Sequence, residues 1–313
     1  MSKEKRIISF DSPIDYSRMN ELIELFAEKY SFISINNLGN SIFGRHIPIL
    51  KLGEGKNKVV YIGSHHGSEW ITSAILLRFI NEYCELYKSR GKVEEIPIEN
   101  LFQNMEIHII PMLNPDGVEL SVNGLDENNI MRERLLSMNG GSTNFIKWNA
   151  NGRGVDLNHN YNCGFSEYKK LESEQGIPNG APTRFSGEYP ESEPEVGYLC
   201  NYLRFYGDFC GAITLHSQGE EIYYKSGGYC PAESESIVRY FSRLSGYTPR
   251  QAEGLAAFGG FTDWFISEFD KPSFTFECGK GENPLPITAL PLIYLKLRRI
   301  LFEAPLILSR IRR

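Results

Sequence analysis

Apolar positions along the chain switch between a spacing near 3.6 residues and a spacing of two, and the switches mark out elements. After Asp15, a capping residue, Met19, Leu22, Ile23 and Phe26 fall on one stripe and predict a helix to about Tyr30. Phe32–Ile35 and Ile47–Leu52 read as strands, and Pro48 suggests that the second lies at an edge. Val59–Ile62 has the β-branched and aromatic content of a buried strand, and Ile71–Tyr83 is apolar enough and long enough for a helix. Tyr87–Asn100 is charged and loop-like. Met105–Met112 reads as a strand that runs into Asn114-Pro-Asp-Gly117, a turn signal. Leu125–Asn144 looks like an insertion holding a short helix from about Asn129 to Met138. Gly152–Tyr161 is turn-rich, and Leu171–Pro190 reads as a long surface loop and a candidate lid. Ser192-Glu-Pro-Glu195 has the chemistry of a helix start, with the helix running to about Tyr206. Strands follow at Phe209–Leu215, Ile222–Lys225 and Lys271–Gly279, and helices at Ser234–Leu244, Phe261–Phe269 and Leu290–Phe302, where Pro305 ends the pattern. Strands interleaved with helices predict an α/β sandwich around one sheet. Without repeats or linkers, residues 1–313 read as one domain, 1–35 being a helical lead-in.

Composition narrows this picture. Hydrophobic residues make up 41% of the 313 and charged residues 23%, enough for a sizeable core and too apolar for global disorder. A net charge of -6 argues against nucleic acid as a partner, and the basic runs Lys3–Arg6 and Arg310–Arg313 read as solvated tails. The six cysteines are scattered without paired spacing, which argues for reduced thiols and against cysteine-held zinc. No apolar run has the length of a membrane span, and the first residues lack the apolar stretch of an export signal, so the expected location is cytoplasmic.

Chemistry-bearing residues gather at three strand ends. His66 and Glu69 lie three apart in Gly63-Ser-His-His-Gly-Ser-Glu-Trp70, just after the Val59–Ile62 strand. Open α/β sheets carry their sites at such carboxyl ends. A catalytic zinc takes three protein ligands and keeps one position open, so a third ligand is needed. His216 ends its strand in the same way and is the best candidate. Glu277 closes Phe274-Thr-Phe-Glu on the face opposite Phe274 and Phe276, where a carboxylate needs a partner or a site; that placement suits a general base. Asp156 could accept the second N–H of a metal-bound histidine, or serve only as a turn residue.

Taken together with Asn114-Pro-Asp-Gly117, Gly154-Val-Asp-Leu-Asn158 and Leu215-His-Ser-Gln218, these motifs resemble those of the zinc carboxypeptidases, in the same order. The resemblance implies a mixed, mostly parallel eight-stranded twisted sheet between layers of helices. It also implies one zinc held by His66, Glu69 and His216, with Glu277 as general base and Asn158 with His159 binding the substrate. The chain departs from the digestive members of that family. They carry Asn-Arg where this chain has Asn158-His159, and an imidazole lacks the planar fork of a guanidinium. Their substrate-covering Tyr is missing from Leu255–Trp264, and their charge-stabilising Arg has no clean match. Arg153 is the expected replacement, with Lys147 as the alternative.

Asp156-Leu-Asn-His159, Leu215–Tyr224, Asp263-Trp-Phe-Ile266 and Gly281-Glu-Asn-Pro-Leu-Pro286 are similar to a narrower group, the bacterial γ-D-glutamyl-diamino acid peptidases. What this implies is a zinc peptidase cutting the γ-D-glutamyl–meso-diaminopimelate bond of cell-wall stem peptides or soluble muropeptides. The alternatives are a metallocarboxypeptidase for ordinary C-terminal residues and an inactive wall-peptide binder. The expected partner is a small peptide, not nucleic acid or membrane.

Overall fold

The computed structural model describes residues 8–311, so Lys3–Arg6 and the last two arginines of the expected basic tails lie outside the described residues. Helix α1 spans Tyr16–Lys29, with Asp15 Oδ1 accepting the Arg18 amide at 2.7 Å and the expected stripe of Met19, Leu22, Ile23 and Phe26 buried. Strands β1 (Ser34–Asn40), β2 (His46–Leu52) and β3 (Asn57–Ile62) lead into α2 (Ile71–Lys88). The short strands β4 (Lys92–Val93) and β5 (Ile96–Pro97) form a hairpin before α3 (Ile98–Asn104) and β6 (Met105–Ile110). Then come α4 (Pro115–Asn123), α5 (Arg132–Met138), α6 (Phe165–Glu174) and α7 (Pro194–Tyr206). The rest is β7 (Phe209–His216), β8 (Glu221–Tyr223), α8 (Ser234–Ser245), β9 (Thr248–Arg250), α9 (Phe261–Phe269), β10 (Ser273–Glu277) and α10 (Leu290–Ser309).

Several expectations are corrected here, each for a local reason. Asn114-Pro-Asp-Gly117 starts a helix: Asn114 Oδ1 caps the Gly117 amide at 2.9 Å and Pro115 takes the first helical position, where it loses no hydrogen bond. The charged stretch Tyr87–Asn100 holds the hairpin and the start of α3, which buries Ile98, Leu101 and Phe102. The expected loop Leu171–Pro190 begins inside α6. Pro48 is not on the sheet's edge, since it pairs with Asn37 of β1; but β2 meets β6 only from Leu50 onward, so the proline sits beyond that ladder. Phe32 precedes β1 and packs on Tyr87 and Phe102, ring centroids 4.7 and 5.9 Å away. Helix α10 continues through Pro305. The carbonyl that the proline cannot serve, that of Leu301, instead accepts the buried Tyr61 hydroxyl of β3 at 2.9 Å.

Among the described residues the main sheet has eight strands in the order β1-β2-β6-β3-β7-β10-β8-β9. The central pairs β6–β3, β3–β7 and β7–β10 are parallel, while β1–β2, β2–β6 and β10–β8 are antiparallel. Alternating side chains feed two cores. Val59 and Tyr61 join α1, α2, α8 and α10 on one face, and Val60 and Ile62 join α7 and α9 on the other. Each fully buried Leu, Ile or Phe in these layers contributes roughly 1.5–3 kcal/mol. The connections leave β3 toward β6 on one side and toward β7 on the other. Their shared carboxyl ends therefore form a crevice at the point where the winding reverses.

Candidate metal centre and active-site cleft

The turn after β3 is built to be tight. A Cβ at Gly67 would stand 2.2 Å from the Gly117 carbonyl oxygen, so only glycine lets the turn lie against the start of α4. Ser64 takes a left-handed backbone, φ 48°, and its amide donates to Thr72 Oγ1 at 2.8 Å, fastening the turn to α2. His66 and Glu69 are thereby presented together, and β7 delivers His216 beside them.

Ligand atoms of His66, Glu69 and His216 all lie within 4.8 Å of one another. His66 Nδ1 is 2.9 Å from Glu69 Oε1, His216 Nδ1 is 3.0 Å from Glu69 Oε2, and the two Nδ1 atoms are 3.3 Å apart. Two imidazole nitrogens and a carboxylate converging on one point are a borderline-soft donor set that suits zinc, and both histidines also line an open cleft. On its far side His66 Nε2 bonds Asp156 Oδ1 at 2.9 Å, which fixes Nδ1 as the atom that faces the cluster. Burial alone would push the His66 imidazolium down, but Glu69 and Asp156 outweigh it and hold its pKa well above the ordinary range. For both carboxylates burial acts upward and the facing histidines win: Glu69 falls to about 2, and Asp156 is also held well below its usual range. This excess of negative charge around two imidazoles is what a cation would neutralise. His65 stacks under His216 at 5.1 Å and bonds the Tyr161 hydroxyl at 2.9 Å; burial drives its pKa well down, so it packs there neutral.

Parallel register sets the next group. Glu277 pairs directly with His216 across β10 and β7, on the face away from Phe274 and Phe276. Among the described residues no hydrogen bond or ion pair engages its carboxylate. Burial, then the neighbouring Glu69, raises its pKa well above the ordinary range. Behind it Thr275 Oγ1 is tied to Thr214 at 2.9 Å and to Thr262 at 2.8 Å, stiffening the strand ends.

A cleft of about 260 Å³ opens over these groups, lined by His66, His216, Glu277, Asp156, Asn158, His159, Thr183, Arg184, Tyr223, Lys225, Thr262 and Asp263. All the expected metal ligands except the deeper-lying Glu69, together with the expected base, supporting Asp156 and both substrate-binding residues, thus line one space. Two details differ from expectation. His159 is stacked on Tyr168 at 4.0 Å and bonds the Phe258 carbonyl through Nδ1 at 3.1 Å. A carbonyl can only accept, so Nδ1 carries the proton; burial lowers the ring's pKa, and the neutral ring presents Nε2 as an acceptor, the wrong sign for a carboxylate. Arg153 does not enter the cleft. Its Nε bonds Glu193 Oε2 at 3.1 Å and its Nη2 the Ser192 carbonyl at 3.2 Å, in a separate groove beside α7. Lys147 pairs with Glu282 at 3.2 Å, also outside the cleft. Gly281–Pro286 supports the site from behind, with Asn283 bonding the Ser217 hydroxyl and carbonyl at 2.8 and 2.6 Å. Sequence alone assigns no site role to Arg184, Tyr223, Lys225 or Asp263; Tyr223 and Asp263 lie in stretches that carry the narrower resemblance, whereas Arg184 and Lys225 belong to no motif.

Comparison with known proteins agrees with this geometry. The family model described as zinc carboxypeptidase matches residues 19–294. Over 92% of its length the chain is 33% identical to gamma-D-glutamyl-L-diamino acid endopeptidase 1 of Lysinibacillus sphaericus, covering 71% of that protein. It is 26% identical to carboxypeptidase A2 of Mus musculus over 82% of its length and 60% of the relative's. In fold it resembles thrombin-activatable fibrinolysis inhibitor, with a TM-score of 0.73 at 21% identity, over 96% of this chain and 76% of that one. With its mixed eight-stranded sheet and a His-Glu-His group able to hold the ion, the chain belongs to the zinc carboxypeptidase family and is a zinc metallopeptidase.

Proposed function

We propose that this peptidase hydrolyses the γ-D-glutamyl–diaminopimelate bond of cell-wall stem peptides, taken as soluble muropeptides. The observation that carries the reading is the state of His159: buried, neutral and bonded to Phe258, it offers no guanidinium fork to an ordinary C-terminal carboxylate. The endopeptidase of Lysinibacillus sphaericus, whose name assigns it a γ-D-glutamyl-L-diamino acid bond, supports the same substrate class. A cytoplasmic setting is part of the proposal. It is supported by the thiols, none of which forms a disulfide among the described residues.

In this reading His66 Nδ1, His216 Nδ1 and a Glu69 oxygen hold the ion. When bound, zinc supplies Lewis acidity, polarising the scissile carbonyl and making water a stronger acid. Glu277 takes a proton from the attacking water and passes it to the departing amine as the C–N bond breaks. Asp156 holds the Nε2 proton of His66 and so keeps that ring's lone pair inward. Asn158 Oδ1 is occupied by the Phe261 amide at 3.0 Å, which leaves its NH2 group for substrate, and His159 Nε2 can accept a substrate N–H.

The test is hydrolysis of L-Ala-γ-D-Glu-meso-diaminopimelate by the zinc-loaded protein, set against a blocked dipeptide with an ordinary C-terminus. Release of diaminopimelate with a clear preference over the dipeptide is expected. Cleavage of the dipeptide alone would replace this reading with that of a general carboxypeptidase.

A further inference from the structure

Cations lining the cleft are Arg184 and Lys225, and they differ in what holds them. Lys225 is paired with Glu235 at 3.1 Å. Among the described residues no carboxylate pairs with the Arg184 guanidinium, although its backbone is fastened on both sides. The Arg184 amide donates to Asp156 Oδ2 at 2.8 Å, and its carbonyl accepts the Tyr168 hydroxyl at 2.9 Å. The neighbouring Pro182 carbonyl accepts the amides of Asn149 and Ala150, both at 2.9 Å, and the Phe185 carbonyl accepts the Asp156 amide at 2.7 Å. Arg184 itself is held at φ 69°, a left-handed conformation that a long side chain rarely adopts and that recurs where function over-determines the backbone. A backbone fastened at several points, and itself bonded to the carboxylate that supports His66, thus carries into the cleft a guanidinium with no carboxylate partner among the described residues.

We infer that Arg184, with the free NH2 of Asn158, binds the carboxylate of the departing amino acid beside the scissile bond. This rests on the proposed γ-D-glutamyl–diamino acid reading and names the group that recognises the leaving residue. The planar fork donates two parallel charge-assisted bonds to a carboxylate, which neither the neutral His159 nor the paired Lys225 can do. The chain therefore supplies its carboxylate clamp from the loop after α6, outside the motif in which the sequence reading placed the substrate-binding pair.

The experiment compares two substrates of the zinc-loaded protein: the tripeptide acid L-Ala-γ-D-Glu-meso-diaminopimelate and its amide at the carboxylate next to the scissile bond. Arg184→Gln should lower kcat/KM for the acid about 10- to 100-fold, mostly through KM, and leave the amide nearly unchanged. Arg184→Lys should recover part of the loss. Arg184→Gly, which relaxes the left-handed backbone, should show the same loss without loss of thermal stability. Equal losses on acid and amide, or none on either, overturn the assignment while the proposed function stands. A wild-type protein that cleaves neither substrate overturns both.

Discussion

At the scale of single residues, the chemistry depends on which groups stay unengaged. Glu277 is buried enough for its pKa to rise, yet nothing in the described structure ties its carboxylate down. Glu277→Gln keeps the shape and removes the proposed proton acceptor. The variant should fold and bind zinc stoichiometrically by metal analysis, while kcat falls about 10²- to 10⁴-fold. Near-normal turnover with zinc in place would move the proton-transfer role to another group. The gathering of His66, Glu69, His216 and Glu277 is legible in the sequence because strand ends and a three-residue spacing leave a mark there. Arg184 left none: its importance comes from a left-handed backbone and from bonds to Asp156 and Tyr168, which join residues 28 and 16 positions apart. Arg153 is expected in the site as the replacement for the family's unmatched Arg, but nearness in sequence does not decide direction, and Glu193 holds it in the other groove.

At the scale of elements, long apolar runs were readable and short or polar-started ones were not. The start of α4 reads as a turn because Asn, Pro, Asp and Gly serve both; which one forms depends on whether the following residues find a core, and Val118 and Leu120 do. The local pattern ends α10 at Pro305 because it cannot see Tyr61 arriving from β3 to take the Leu301 carbonyl. This exchange can be tested by a double-mutant cycle. Tyr61→Phe should destabilise by roughly 1–3 kcal/mol, the cost of a buried acceptor left alone. Adding Pro305→Ala, which restores a helical N–H to that carbonyl, should return much of it. Denaturant melts of the four proteins would show additive effects if the two residues do not share the carbonyl.

At the scale of the whole molecule, the layered sandwich buries charge as well as apolar surface. Glu195, in the first turn of α7, is fully enclosed; burial first, then Asp116 and Glu193, raise its pKa to about 8. The folded chain therefore keeps a proton that the unfolded chain, with an ordinary glutamate near about 4.3, has already lost. Stability from this group is complete below the unfolded value, declines as pH rises through the window, and is gone above about 8. Glu195→Gln, which needs no proton, should flatten the fall in Tm between about pH 5 and pH 8 and stabilise the protein at the upper end by roughly 1–3 kcal/mol. A mutant melting curve that tracks the wild type at every pH would mean that the carboxyl is solvated in solution.

The direct pairing of Glu277 with His216 makes the sheet a ruler. The two backbone positions are one interstrand spacing apart, about 4.8 Å, set by backbone hydrogen bonds that do not depend on side-chain identity. Helices on either face can drift in sequence without retuning that gap, whereas inserting one residue in β10 would turn Glu277 into the apolar layer. Evolution of this scaffold is thus free in its outer layers and quantised at its centre. That is how a fold can persist at 21% identity.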